Sequence, residues 1–236
     1  MATAILMPTH NEGPRLNRAL QSVRERAADF GGVIVCLVDD GGQPAVALPD
    51  LPTATQDFRI VLARHAVNLG QGAALETARQ LALRQGAMRA YITMDADGQH
   101  SVEGALALQE AIVRGADVAF GNRFRGNSNV PWGRSALVHF ARLLEWAITG
   151  VRLSDAHNGL RGFSARALAH LRIRQNRMAH ATEIRWHISR APRWRVVEVP
   201  VSIRYTRNSL AKGQRASGAL TVVQDLVTQY LFGDSI

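Results

Sequence analysis

Five short, mostly apolar runs lie along the first half of the chain without alternating polar positions: residues 3–7, 33–38, 59–63, 90–94 and 117–121. Runs of this length, rich in Val, Ile and Leu, read as strands buried on both faces. On this reading Pro8 ends the first strand and Asp95 follows the fourth. Between the runs, apolar residues recur at helical spacing. Leu16, Leu20, Val23 and Ala27 mark one helix, 72–84 is a second, rich in Ala and Leu, and 102–114 is a third. A loop with Pro44, Pro49 and Pro52 separates the second strand from the third. Strands alternating with helices predict an α/β fold, a mostly parallel central sheet flanked by helices.

From residue 122 onward the pattern changes. Leu137, Phe140, Leu144, Ala147 and Ile148 trace one face of a helix over 132–149, and Leu220, Val223, Leu226, Val227, Tyr230 and Leu231 trace another over 219–232. Residues 196–204 read as a strand interrupted at Pro200. The amphipathic helices either pack on the core or lie in the plane of a membrane. No window reaches the ~18 apolar residues that a membrane-spanning helix needs, and no secretion signal is visible. The single cysteine, Cys36, sits inside an apolar run and has no internal disulfide partner. These features set the expectation of one domain over 1–236 in the cytoplasm, with 1–121 binding a nucleotide-bearing ligand and 122–236 forming a second half with the amphipathic helices.

Charge sharpens the division. The net charge is +9, yet residues 121–215 carry eighteen basic and four acidic side chains, against ten and fifteen elsewhere. A half so basic predicts an anionic partner: a phosphate-bearing ligand, an anionic membrane or nucleic acid. The four Trp, three Tyr and seven Phe are not interleaved with basic residues as a base-stacking platform requires, so nucleic acid is not expected.

The chemistry is concentrated where strands end. In open parallel sheets ligands bind beyond the carboxyl ends of the strands. Three polar clusters stand there: His10-Asn11-Glu12, Asp39-Asp40-Gly41-Gly42 and Asp95-Ala96-Asp97-Gly98-Gln99-His100. Two carboxylates spaced Asp-x-Asp can hold a hard divalent cation while leaving positions for phosphate oxygens, since Mg²⁺ keeps only one or two protein carboxylates. Gln99 offers a further oxygen. A carboxylate at Asp39-Asp40 can accept a base N–H or a ribose hydroxyl, although, taken alone, an ordinary Asp-Gly turn explains that motif better. Leu69-Gly70-Gln71-Gly72 lacks the third glycine of a dinucleotide fingerprint. The histidines show no zinc-ligand spacing.

Taken in order, these motifs resemble family 2 glycosyltransferases, of the dolichyl-phosphate mannose synthase-like, polyprenyl-phosphate branch. The stretches that carry the resemblance are 7–12, 38–41, 68–74, 94–100, 121–124, 155–163, 198–201 and 209–214, nearly the whole chain. Gly42 and Asn158 depart from the serine, and the serine or threonine, common at those places. A C-terminal membrane-spanning pair, carried by many relatives, has no counterpart in the sequence. The resemblance implies a GT-A fold using a nucleotide-diphospho-sugar donor. Pro8, His10, Glu12, Asp40 and Asp95 are then nucleotide-binding residues, and Asp95, Asp97 and Gln99 hold Mg²⁺ or Mn²⁺. Arg123, Arg134, Arg204, Ser209 and Lys212 are expected to meet donor or acceptor phosphates, and Asp97, Arg123, Asp155 and Lys212 to be catalytic. The acceptor is a polyprenyl phosphate or, alternatively, a saccharide; a hydroxyl acceptor requires a general base, for which Asp155 and Glu183 are candidates. A basic nucleic-acid-binding protein and a nucleotide-sugar sensor without catalysis are the remaining readings. Oligomeric state is not legible.

Overall fold

The computed structural model describes residues 1–123, 155, 158–176, 179–190 and 193–203. Its strands are β1 (Thr3–Thr9), β2 (Val33–Asp40), β3 (Phe58–His65), β4 (Tyr91–Thr93), β5 (Val118–Asn122), β6 (Arg161–Phe163) and β7 (Val196–Pro200). They form one sheet in the order β3-β2-β1-β4-β6-β5-β7. The helices are α1 (Pro14–Glu25), α2 (Gln71–Arg84), α3 (Val102–Val113), α4 (Ala165–His170) and α5 (His180–Ser189). The helices expected over 132–149 and 219–232 lie outside the described residues, as does the end of the strand expected to reach 204. Among the described residues no helix is long and apolar enough to cross a membrane.

The mostly parallel sheet follows from burial. Ile5 and Met7 of β1 pack with Leu16, Leu20 and Phe30 on one face, while Ala4 and Leu6 pack with Ala74, Ala78 and Tyr91 on the other. Both faces are dry, so alternate positions are equally apolar and the strands read as continuous runs. Sheet pairing is parallel throughout except at β6, which runs antiparallel to both β4 and β5.

Pro8 does not end β1, contrary to the sequence expectation. Hydrogen bonding explains why. The amide of Ala4 donates to Ala90 and the carbonyl of Leu6 accepts from Met94, so even-numbered residues of β1 face β4. Pro8 shares that parity, and β4 pairs with β1 only as far as Thr93 opposite Leu6. The missing N–H of Pro8 therefore has no strand to bond, and β1 stays paired with β2 as far as Thr9 opposite Asp39.

Helix starts are set by local chemistry. Pro14 opens α1, where a missing N–H costs nothing. The Ser101 side chain caps α3 by accepting from the Gly104 amide at 3.0 Å. Gly72, near the start of α2, lets the segment 173–176 pass: its amide donates to the Asn176 carbonyl at 2.8 Å. That segment is strapped down by Glu183, which accepts from the Arg174 and Gln175 amides at 2.9–3.0 Å, and by Glu76, which accepts from the Ile173 amide at 3.1 Å. Glu183, considered above as a base, is thus a buried clamp.

Two outcomes are expected. A Cβ at Gly72 would stand 1.8 Å from the Gln175 oxygen, so Gly72→Ala should destabilise the protein at the upper end of the about 1–3 kcal/mol typical of overpacking, measured by urea denaturation. This outweighs the gain of ~1 kcal/mol in helix propensity. Burial pushes the Cys36 thiol from its ordinary 9.0 up to about 12. The folded state therefore keeps the proton that the unfolded chain releases, so stability should fall as pH rises from 9 toward 12. A thiol reagent at pH 8 should modify Cys36 only after denaturant is added.

Candidate active site

The carboxyl ends of β1, β2 and β4 open into a cleft of about 450 Å³. Pro8, His10, Glu12, Asp40, Asp95 and Asp97, all singled out from sequence, line it together. The loop from β3 to α2 adds Asn68, Gly70 and Gln71.

The two acids of the β2 turn are largely consumed by their own surroundings. Asp39 is fully buried and accepts from the amides of Gly42 (2.8 Å) and Val46 (3.0 Å). Asp40 accepts at Oδ1 from the Leu69 amide (2.9 Å) and His65 Nδ1 (2.7 Å), and at Oδ2 from the Gly70 amide (2.8 Å). A carboxylate offers about four acceptor positions, so Asp40 keeps roughly one for a ligand. Because an ionised Asp40 only accepts, His65 carries its proton on Nδ1, and Nε2 bonds Thr77 Oγ1 at 2.9 Å. Gly41, in the left-handed region, has no space for a side chain: a Cβ would stand 2.4 Å from the Val67 carbonyl carbon. The β2 turn and the 66–70 loop thus hold each other as one wall of the cleft.

Exposed His10 stands against the same turn. Its Nδ1 lies 2.9 Å from the Asp40 carbonyl, and its Nε2 lies 3.2 Å from Asn11 Nδ2. Glu12 pairs with Arg15 at 2.8 Å.

Asp95 and Asp97 lie partly open on the cleft. Asp95 Oδ1 accepts from Gln71 Nε2 at 3.1 Å, and its amide donates to His100 Nδ1 at 3.1 Å. Gln99 donates its backbone amide to Asp97 Oδ1 at 3.0 Å and its side-chain amide to Oδ2. The expected cation ligand Gln99 therefore orients Asp97. Among the described residues no group of three or more His, Cys, Asp and Glu is gathered to hold a metal. The donor set here is two hard carboxylates with room beside them, which fits a cation shared with phosphate oxygens.

Arg123 and Asp155 lie beyond this lining and pair with each other. Asp155, 3% exposed, takes the Arg123 amide (2.9 Å), Arg123 Nε (2.7 Å) and Asn158 Nδ2 (3.3 Å), all on Oδ2. That pattern makes Asp155 a holder of Arg123. Arg134, Arg204, Ser209 and Lys212 lie outside the described residues.

Two features escaped the sequence reading. One is the His65–Thr77 backing of Asp40. The other is Arg161 on β6, 2% exposed, whose Nε has no hydrogen-bond partner among the described residues. Burial, with Arg185 nearby, pulls its guanidinium down to about 10, while Asp95 and Asp155 pull the other way. The signal available was an arginine within Gly159-Leu160-Arg161-Gly162-Phe163, between residues that otherwise suit a core.

The Asp40 contacts generate one expectation. Asp40→Ala strands two loop amides and the His65 N–H, so denaturation should register a loss of about 1–3 kcal/mol. Asp97→Ala, which strands only Gln99, should stay within about 0.5 kcal/mol of wild type.

Comparison with known proteins agrees with this arrangement. The model of glycosyl transferase family 2 matches residues 4–172. A polyprenol monophosphomannose synthase of Mycolicibacterium smegmatis is 29% identical over 170 residues, covering 70% of this chain and 63% of the synthase. An uncharacterized protein of Methanocaldococcus jannaschii is 23% identical over 234 residues, 97% of this chain and 92% of its own. Among solved structures, glucosyl-3-phosphoglycerate synthase from Mycobacterium tuberculosis, in complex with Mn²⁺ and UDP-glucose, aligns with a TM-score of 0.64 at 15% identity, covering 98% of this chain and 78% of that one. TarS of S. aureus aligns with a TM-score of 0.54 at 14% identity, covering 84% and 58%. With its family model matched over most of its length and its sheet shared with these transferases, the chain belongs to glycosyl transferase family 2 and is a glycosyltransferase of the GT-A fold.

Proposed function

We propose that the protein transfers a hexose from a nucleotide-diphospho-sugar to a polyprenyl phosphate, with inversion at the anomeric carbon and with Mg²⁺ or Mn²⁺ at the diphosphate. The observation that carries this reading is the shared cleft. Asp95 and Asp97 face the same space as Pro8, His10 and Asp40, so a nucleoside on one wall places its diphosphate at the two carboxylates.

Each residue has a task in that arrangement. The remaining acceptor position of Asp40 takes an N–H on the edge of the base, and the exposed His10 ring lies beside it. Asp95 and Asp97 would hold the cation, which when bound would supply positive charge to offset that developing on the departing diphosphate. The Arg123 guanidinium, fixed by Asp155 at 2.7 Å, supplies positive charge toward the second half of the chain, with Arg134, Arg204, Ser209 and Lys212 assigned to the same phosphates. A phosphate monoester is largely ionised at neutral pH because its second pKa is about 6. It attacks the anomeric carbon without a base, and the sugar–diphosphate bond breaks on the opposite face. The basic residues of 121–215 offset the repulsion between two anions. The name of the mycobacterial relative, a polyprenol monophosphomannose synthase, supports the lipid acceptor. A lipid acceptor and a basic half together support peripheral contact with the cytoplasmic face of an anionic membrane.

The test is a thermal-shift panel of UDP, GDP, UDP-glucose and GDP-mannose, each with Mn²⁺ and with EDTA. Saturation at 100 times Kd stabilises the folded state by about 2.7 kcal/mol. One nucleotide should raise the midpoint in Mn²⁺ only, and Asp97→Ala should remove that shift while leaving the unliganded midpoint in place. Equal shifts in EDTA, or in Asp97→Ala, would refute the cation role. With the donor identified, product formation on polyprenyl phosphate supports the lipid acceptor, whereas formation only on a saccharide replaces it.

A further inference from the structure

The turn that enters β6 lies against Asp95. A Cβ on Gly159 would stand 2.6 Å from Asp95 Oδ2 and 3.0 Å from Oδ1, so the carboxylate occupies the space that any side chain there would take. Gly159 is not in the left-handed region, and its backbone admits alanine. The nearest obstacle to a methyl group is the carboxylate.

The same turn is fastened on several sides. Thr93, the last residue of β4, donates from Oγ1 to the Gly159 carbonyl at 2.6 Å. Asn158 accepts from the Leu160 amide at 3.0 Å and donates to Asp155 Oδ2 at 3.3 Å. The Gly121 amide donates to the Leu160 carbonyl at 3.0 Å. The next residue, Arg161, is buried with an Nε unpartnered among the described residues and lies in the field of both Asp95 and Asp155.

We propose that the turn 158–161, with Gly159 at its centre, is a positioning element: it seats the Asp95 carboxylate for the cation and diphosphate and joins that seat to the Asp155–Arg123 pair. This rests on the reading of Asp95 as a cation and diphosphate residue. Thr93 fixes the height of the turn, Gly159 leaves the carboxylate its place, and Asn158 carries the same turn to Asp155. The donor side and the Arg123 side of the site are thereby registered to one short stretch of backbone.

The test is calorimetric binding of the nucleoside diphosphate named by the panel, with Mn²⁺ and with EDTA. It uses the full chain and the variants Gly159→Ala, Asp95→Ala, their combination, and Thr93→Val. Gly159→Ala should keep the unliganded melting midpoint close to wild type. It should weaken Mn²⁺-dependent binding about 10–100-fold, the range seen when partners of metal ligands are altered, and leave binding in EDTA unchanged. The double variant should bind no more weakly than Asp95→Ala alone, because both changes act through one carboxylate. Thr93→Val, which keeps the shape and removes the 2.6 Å bond, should give an intermediate loss and decides the matter if Gly159→Ala does not fold. Wild-type affinity in Gly159→Ala, beside a loss in Asp95→Ala, overturns the positioning role alone. Additive losses in the double variant overturn it too, since the glycine would then act elsewhere. Wild-type affinity in Asp95→Ala overturns the reading of Asp95 itself, and this proposal with it.

Discussion

Strands β1, β2 and β4, covered on both faces, carry no charged side chain before their carboxyl ends. Everything in this site depends on that constraint. β1, β2 and β4 are parallel neighbours, so they leave the sheet on the same side, and the polar residues at their carboxyl ends arrive at one rim. His10, Asp40 and Asp95 come together there because burying a lone charge within the runs would cost several kcal/mol. Apolar packing below the rim therefore does more than stabilise: it selects the one edge at which chemistry is permitted.

Acids collected in this way repel one another unless something divides them. The division is made by backbone amides. Asp39 and Asp40 receive four amide N–H groups between them from the turn and the adjoining loop, and become part of the wall. Asp95 and Asp97 receive fewer and stay open to the cleft. The difference does not lie in residue type, since all four are aspartates after an apolar strand. It lies in which loops bring unsatisfied N–H groups within reach.

Much of this was legible along the chain, and what was not has identifiable causes. β1 to β5 and α1 to α3 announce themselves through long apolar patterns. β6 is three residues, Arg-Gly-Phe, too short and too mixed for any periodicity. α5 buries Thr182, Glu183 and Arg185 beside Ile184 and Ile188, so its inward face does not look apolar. Pro8 misled because proline usually stops a strand, and only the parity of the β1 hydrogen bonds makes it harmless. Within the site, the clusters at 10–12 and 95–100 are local in sequence and were recognised. His65 meets Asp40 from 25 residues away, and Thr93 meets Gly159 from 66. Such contacts leave no trace in spacing, because tertiary structure alone creates them.

The antiparallel strand β6 also bears on how the chain is made. It enters the sheet between β4 and β5, both of which are synthesised well before it. Until Arg161 to Phe163 emerge, β4 keeps a bare edge at the slot that β6 fills, an arrangement prone to pairing with the wrong chain. Translation at about 5–20 residues per second leaves that slot open for roughly 2–8 s after Asn122. The first half can assemble β3, β2, β1 and β4 during synthesis, but β5 must wait. The site inherits the delay: Asp95 reaches the rim early, and the backbone that seats it arrives later.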